Sequence, residues 1–189
     1  MIQKPQGYDE AQTFTGEYEQ VTLGGHICRI VQANVEAKNG RQMLVILFDI
    51  DEGGAFDGYY QKQYEERRRK SSDAKWGGTI YQYVDGSGTP FFKGIISSIE
   101  ESNAGYTWNW DEKTLVGLYF GGNFGREQYE YDGVKKWTTK CMHVRTVSAV
   151  KQGIDPPKDK YLPEKNGVTA APTAPRDFID ITPDEDLPF

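Results

Sequence analysis

The sequence predicts a mainly β protein in which a small antiparallel β domain carries one amphipathic helix. Aromatic residues make up 13% of the chain and 21 Gly residues supply frequent turns, a composition that is typical of β domains. Asn39-Gly40 and Asp132-Gly133 each separate two β-rich runs, and this dipeptide pattern indicates a tight hairpin. One segment near the middle of the chain instead repeats its apolar residues at helical spacing.

The first half of the domain is expected to consist of short strands after an extended polar lead-in over residues 1–23. Residues 42–50 are almost continuously apolar, which indicates a strand buried on both faces. Residues 61–75 are strongly basic and predict an exposed loop or a short helix. In chain order the predicted segments are a strand at 26–35, a strand at 42–50, a third strand at 56–60, the basic segment, and an extended piece at 79–84.

The strongest helix signal covers residues 90–103. Thr89 is the predicted N-cap and Pro90 takes the first helical position. Five apolar residues mark one face at helical spacing. They are Phe91, Phe92, Ile95, Ile96 and Ile99. We expect Phe91 and Phe92 to join Phe48 in the core.

The second half is expected to return to strands. Residues 115–124 predict a strand with a Gly-rich bend, residues 127–137 a hairpin, and residues 138–150 a long final strand. A helix between the third and fourth strands of a small Greek-key barrel is the plan of the OB-fold. We therefore predict an OB-fold over residues 24–160, a five-stranded Greek-key barrel with extra strands and an insertion. A plain β-sandwich would leave the helix unexplained.

Catalysis and metal binding find little support in the residue pattern. The 2 His residues, His26 and His143, lie in separate predicted strands, and the 2 Cys residues, Cys28 and Cys141, lack metal-ligand spacing. We expect a non-catalytic protein without cofactor or metal, with reduced Cys residues in a cytoplasmic setting. No apolar stretch approaches the length of a membrane span, and the first residues lack the apolar core of a signal peptide.

Basic and aromatic residues interleave twice, which is the mixture that single-stranded nucleic acid requires: cations for phosphates and flat rings for bases. Residues 62–75 and residues 126–151 each hold six basic and three acidic residues, a net charge of +3. The candidate phosphate contacts are Lys62, Arg67, Arg68, Arg69, Lys70, Lys75, Arg126, Lys135, Lys136 and Lys140. The candidate base-stacking residues are Tyr60, Tyr64, Trp76, Phe124, Tyr129, Tyr131 and Trp137. Each assignment has a structural alternative, because rings also fill cores and basic runs also form solvated loops.

Negative charge is concentrated near the end of the chain. From residue 176 to residue 189, five acidic residues face one Arg, a net charge of −4 out of −6 for the whole chain. Residues 161–176 are rich in Pro and Ala and are expected to form a flexible linker. Residues 177–189 are expected to be a disordered acidic tip that a partner protein holds through a basic pocket and an apolar notch. The candidate partner-binding residues are Asp184, Glu185, Asp186, Leu187, Pro188 and Phe189.

These features resemble the single-stranded DNA-binding proteins (SSB) of bacteria and bacteriophages. In that family an OB domain is followed by a flexible linker and an acidic tip ending in Pro-Phe; here Leu187-Pro188-Phe189 has Leu where Ile is more common. The body matches in architecture rather than in the usual bacterial motifs, which points to a divergent bacteriophage or prophage form. The resemblance implies that the body coats single-stranded DNA during replication, recombination and repair in the bacterial cell or phage-infected host. It also implies that the tip recruits proteins of those processes, and it leaves the family's usual homo-oligomer open.

Two other classes of function remain open on the sequence. A carbohydrate-binding β domain would use Trp and Tyr as platforms for sugar rings, but it explains neither the basic run at 67–70 nor the final Phe. An adaptor protein would act through its tail alone. Binding to single-stranded DNA should weaken steeply with salt, sugar binding should not, and an adaptor should show neither.

Overall fold

The computed structural model describes residues 3–9 and 20–163, which form an open five-stranded antiparallel sheet with helices packed against it. The strands are β1 (Gly24–Lys38), β2 (Arg41–Ile50), β3 (Thr79–Tyr83), β4 (Tyr119–Tyr131) and β5 (Val134–Arg145). The helices are α1 (Tyr59–Lys70), α2 (Thr89–Ser102) and α3 (Val147–Gln152), with 3₁₀ turns at Gly86–Gly88 and Glu112–Leu115. The order across the sheet is β3-β2-β1-β4-β5, which confirms the mainly β prediction. None of the helices over these residues is long and apolar enough to cross a bilayer.

Both predicted hairpins are confirmed, and both turns have the same geometry. The φ values are 53° and 73° at Asn39-Gly40, and 51° and 71° at Asp132-Gly133. Positive φ at both central residues is characteristic of the type I′ turn, whose twist matches the right-handed twist of the flanking strands. The two turns therefore fix the register of β1 with β2 and of β4 with β5.

The core lies between the inner face of the sheet and α2. Phe48, Phe120 and Phe124 are among its largest fully buried side chains, and α2 contributes Phe92 together with three Ile residues. Phe48 and Phe92 are buried as expected, but Phe91 is 39% exposed, so its predicted core position is wrong. Neighbouring residues on a helix point about 100° apart, and only one of the two rings can face the sheet.

The start of α2 differs from the prediction. The 3₁₀ turn leads directly into the helix, so Gly88 occupies the N-cap position and Thr89 is the first helical residue. The Thr89 hydroxyl donates to the Val84 carbonyl oxygen at 3.1 Å. The predicted N-cap at Thr89 is therefore wrong, because this hydroxyl reaches back to the preceding segment.

The predicted third strand at 56–60 is also wrong, since these residues form a turn and the beginning of α1. The reason lies in β2: the Asp49 carboxylate accepts hydrogen bonds from the backbone N–H groups of Tyr60 at 2.8 Å and Gln61 at 3.0 Å. A carboxylate in this position satisfies free donors of the first helical turn and interacts well with the helix dipole. The third strand of the sheet is β3, which the sequence predicted as an extended piece.

The glycines of β4 are required by close packing beside an irregularity in the pairing of β4 with β5. The pairing of β4 with β5 shifts register between Asn123 and Phe124. A Cβ atom on Gly121 would lie 2.5 Å from the Val150 side chain of α3 and 2.6 Å from the Thr146 carbonyl oxygen. The final strand ends at Arg145, earlier than predicted, because the Thr146 side chain accepts from the Ala149 N–H and starts α3.

Candidate nucleic-acid interface

The outer part of the β4–β5 hairpin projects past β1. Pairing between β1 and β4 ends at Gly24 opposite Phe124, whereas β4 and β5 stay paired as far as Tyr131 opposite Val134. We call the projecting residues, 125–140, the distal hairpin. Side chains alternate between the two faces of such a ribbon. The distal hairpin therefore presents two faces, and the second basic run of the sequence lies on it.

One face of the distal hairpin carries two exposed Tyr rings with a cation above them. Tyr129 is 38% exposed and Tyr131 is 36% exposed. Lys136 lies directly opposite Tyr129, and its Nζ sits 4.7 Å from the centre of the Tyr131 ring. This tyrosine face thus brings together three of the predicted site residues. Its rings lie outside the hydrophobic core cluster of the domain.

The opposite face carries Trp137, with Lys135 near the tip. Lys135 is exposed and pairs across the ladder with Glu130. The Arg126 guanidinium lies 5.4 Å from the centre of the Trp137 ring. This tryptophan face is half-buried, because a later segment of the chain lies across it.

That segment is residues 157–161, which we call the C-terminal strap. Lys160 bonds to the β4 backbone on both sides: its N–H donates to the Arg126 carbonyl at 2.9 Å, and its carbonyl accepts from the Gln128 N–H at 2.8 Å. Asp159 accepts two hydrogen bonds from the Arg126 guanidinium, at 3.0 and 2.6 Å. This hydrogen bonding raises the pKa of Arg126 above its ordinary value.

The remaining cation of the hairpin, Lys140, is held in an ion pair. Its Nζ lies 2.7 Å from one carboxylate oxygen of Glu127, and the Lys160 Nζ lies 2.9 Å from the other. Burial alone would raise the pKa of Glu127, but the two ammonium groups outweigh it and hold that pKa below its ordinary value. Arg126 and Lys140 are thus engaged within the chain, whereas Lys135 and Lys136 are exposed at the tip, together with the acidic Glu130 and Asp132.

The first basic run lies on a different element, α1. Lys62 is exposed on the helix, and Arg67, Arg68, Arg69 and Lys70 fill its last turn. Cations at a helix C-terminus are stabilised by the helix dipole, so this cluster has a structural role whether or not it meets a ligand. Arg67 also donates to Gln63 at 3.4 Å, and Lys70 lies 3.4 Å from Glu66.

Tyr64 and Trp76 form a second pair of rings, beside α1. Their ring centres are 5.6 Å apart at an angle of 49°. Trp76 follows the exposed Lys75 and donates its indole N–H to the Phe48 carbonyl at 2.8 Å. Both rings are half-buried and therefore less exposed than Tyr129 and Tyr131 of the distal hairpin.

Tyr60 and Phe124 lie in the core, and their predicted role in base stacking is wrong for that reason. Tyr60 is 6% exposed and packs edge-on against Phe48 at 5.4 Å, while Phe124 is fully buried. A Cβ atom on Gly78 would come within 2.5 Å of the Tyr60 ring, which shows how closely the chain covers it. Burial also raises the pKa of the Tyr60 hydroxyl.

The outer face of β2 and β3 carries aromatic residues that the sequence did not single out. Tyr81 is 52% exposed and pairs with Val45, and Tyr83 pairs with Met43. The Arg41 guanidinium lies 4.2 Å from the centre of the Tyr83 ring. The alternation of Tyr81 and Tyr83 with other residues was the available signal, because it puts both rings on one face.

No protein-family model matches this chain, and a search of curated proteins finds no significant match. Within the described ranges, 3–9 and 20–163, no group of three or more His, Cys, Asp and Glu residues is placed to hold a metal ion. The predicted partner-binding residues, 184–189, lie outside the described residues.

Proposed function

We propose that this protein binds single-stranded DNA with little sequence preference, through an OB-type domain. The strand order β3-β2-β1-β4-β5, with α2 between β3 and β4, supports this fold, because an OB barrel opened between its third and fifth strands has the same neighbours. OB-folds bind oligonucleotides on strands 2 and 3 and on the loops that join strands 1–2 and 4–5. The corresponding parts here are the outer face with Tyr81 and Tyr83, the turn at Asn39-Gly40, and the distal hairpin.

The observation that carries the proposal is the tyrosine face of the distal hairpin. Tyr129 and Tyr131 are exposed outside the core, with Lys136 beside them and Lys135 near the same tip. A base stacked on an aromatic ring contributes about 1–3 kcal/mol regardless of its identity, and nearby Lys residues attract the phosphates. Rings and cations at one exposed ribbon therefore suit a flexible strand better than a sugar, which has no need of the cations.

The proposed activity is non-catalytic coating and protection of strands exposed during replication, recombination and repair. The basic end of α1 is an additional phosphate-binding surface in this proposal, secondary to the distal hairpin because the helix dipole already accounts for its cations. Residues 184–189 are proposed to recruit partner proteins, since their acids and the Phe189 ring offer charge and apolar surface together.

The test is a fluorescence titration with oligo-dT at several salt concentrations. Each phosphate contact on a single strand contributes about 0.7 to the slope of log affinity against log salt. A Lys135→Ala/Lys136→Ala variant should therefore bind more weakly and lower the magnitude of the slope by about 1.4. The matched control is Lys93→Ala/Lys113→Ala, which removes the same charge from exposed positions elsewhere and should keep the wild-type slope.

The outcomes separate the candidate functions. Failure of the wild-type protein to bind oligo-dT would refute the DNA-binding proposal and favour an adaptor function. Binding that does not depend on salt would point instead to a neutral ligand such as a carbohydrate. An unchanged slope in the Lys135/Lys136 variant, with a lower slope in Arg67→Ala/Arg68→Ala/Arg69→Ala, would move the main site to α1.

A further inference from the structure

The C-terminal strap contacts the tryptophan face with groups that resemble those of a nucleotide. The Asp159 carboxylate binds both donors of the Arg126 guanidinium fork, which is the arrangement that Arg also offers to a phosphate. The Tyr161 ring packs edge-on against Trp137, with ring centres 5.1 Å apart. The Asp159 carboxylate and the Tyr161 ring thus occupy Arg126 and Trp137, a cation and a ring that single-stranded DNA could use on the distal hairpin.

From these contacts we propose that the strap is an internal competitor of single-stranded DNA at Arg126 and Trp137. This inference rests on the proposed function. In the closed form the strap covers one nucleotide-sized site on the distal hairpin. When a strand binds, a phosphate replaces Asp159 on Arg126, a base replaces Tyr161 on Trp137, and the strap leaves the β4 edge.

A competing strand can reach the contacts of the strap. The Arg126 and Asp159 side chains are 50% and 21% exposed, so a phosphate can approach the guanidinium and offer it the same bidentate arrangement. Tyr161 is 66% exposed. A groove of about 490 Å³ stays open between the strap and residues 141–143 of β5, so the segment is not packed on that side. The strap contacts the hairpin through two backbone hydrogen bonds, two ion pairs, the Tyr161 ring and Pro157, which lies beside Gly125.

Closure of the strap lowers the apparent affinity for DNA in proportion to the fraction of open molecules. If the strap is seated in about nine of ten molecules, removing it raises the affinity about tenfold. The experiment is the oligo-dT titration on Asp159→Asn and Tyr161→Ala. The matched control is Asp155→Asn, which removes the same charge four residues earlier. The Asp155 side chain is exposed, and its backbone carbonyl accepts a hydrogen bond from the Asn123 side-chain amide.

The expected result is a threefold to tenfold gain in affinity for Asp159→Asn and for Tyr161→Ala, with Asp155→Asn at the wild-type value. In wild-type protein, saturating oligo-dT should also speed hydrogen exchange at the Lys160 amide, which bonds to Arg126 in the closed form. If both variants bound with equal or lower affinity, or if the Lys160 amide stayed protected with DNA bound, the proposal would be wrong and the strap would have only a structural role. Absence of oligo-dT binding in every protein would instead refute the proposed function, and this inference with it.

Discussion

At the residue scale, two neighbouring Trp side chains have opposite surroundings. Trp108 packs against the core cluster, and its backbone N–H donates to Glu100 at 2.8 Å. Trp110 is 79% exposed, and its φ of 68° lies in the left-handed region. For an L-residue with a side chain that conformation costs about 1–2 kcal/mol. Only Trp108 is therefore expected to stabilise the fold.

Substitution of each Trp by Gly tests this difference. Trp110→Gly should raise the free energy of unfolding by up to about 1 kcal/mol, because relief of the left-handed strain exceeds the extra freedom that Gly gives the unfolded chain. Trp108→Gly should lower it by about 2 kcal/mol or more through lost packing. Urea unfolding measures both values. Similar losses in the two variants would mean that Trp110 also packs in solution.

At the scale of elements, α1 depends on one carboxylate from the neighbouring strand. Asp49 is 7% exposed and accepts from the N–H groups of Ile50, Tyr60 and Gln61. Burial raises the pKa of Asp49, and the three N–H groups oppose that rise. The charged acid thus joins the end of β2 to the start of α1.

Asp49→Ala should lower the free energy of unfolding by about 1–3 kcal/mol, because it leaves buried N–H groups without an acceptor. The loss should be centred on α1, so the amides of Tyr60 and Gln61 should exchange faster than those of β1. Asp73→Ala, at an exposed position after the helix, is the control. Unchanged exchange at Tyr60 and Gln61 would show that α1 is held by its packing alone.

Glu127 makes the stability of the protein depend on pH in the acidic range. In the folded protein the pKa of Glu127 is held below its ordinary value of about 4.3. Its charged form therefore stabilises the protein at pH values above 4.3, and this stabilisation is lost as the pH falls through the pKa of the folded state. Glu127→Gln should be less stable than wild type at pH 7 by up to about 1 kcal/mol, and equal to it in strong acid. Urea unfolding from pH 7 to pH 3, with exposed Glu36→Gln for comparison, measures this. A constant gap across that range would rule out the ion pairs as its cause.

The sequence predicted correctly those elements whose conformation depends on residues close together in the chain. The two hairpin turns and the apolar face of α2 depend on residues within a few positions. Both hairpins are confirmed, and so is the apolar face except for Phe91. The start of α1 depends on Asp49, eleven residues before Tyr60, and propensity alone does not register such a contact. The sequence therefore favoured a strand at 56–60 where a distant acid starts a helix.

The sequence could predict which candidate residues share a face wherever side chains alternate regularly along a strand. Tyr129 and Tyr131 lie on one face of a regular ladder, as their spacing indicates. Phe124 is five positions before Tyr129 on the same strand, so alternation puts it on the opposite face, where it is fully buried like Phe120. Tyr60 is buried by chain packing from Gly78, far away in sequence. The burial of Tyr60 and Phe124 depends on tertiary packing, so the sequence alone led to their prediction as base-stacking residues.

At the scale of the whole molecule, opposite charges are separated along one chain. Residues 176–189 carry a net charge of −4, whereas the stretch from 126 to 151, which includes the distal hairpin, carries +3. Charges of opposite sign attract over about 10 Å at 0.1 M salt and over about 3 Å at 1 M. The acids at 177–189 are thus expected to compete with DNA for the hairpin at low salt, in a manner distinct from the direct contacts of the strap.

Deletion of residues 177–189 should therefore raise the affinity for oligo-dT several-fold at low salt and have no effect near 1 M salt, where long-range attraction is screened. The gain from Asp159→Asn should fall less with salt, because that contact is direct and bidentate. Deletion of Phe189 alone removes a ring and no acidic side chain, so it should leave DNA binding unchanged. Titrations of the three variants from 0.05 to 1 M salt separate these effects. An affinity unchanged by the larger deletion at low salt would show that the acids do not reach the DNA-binding surface.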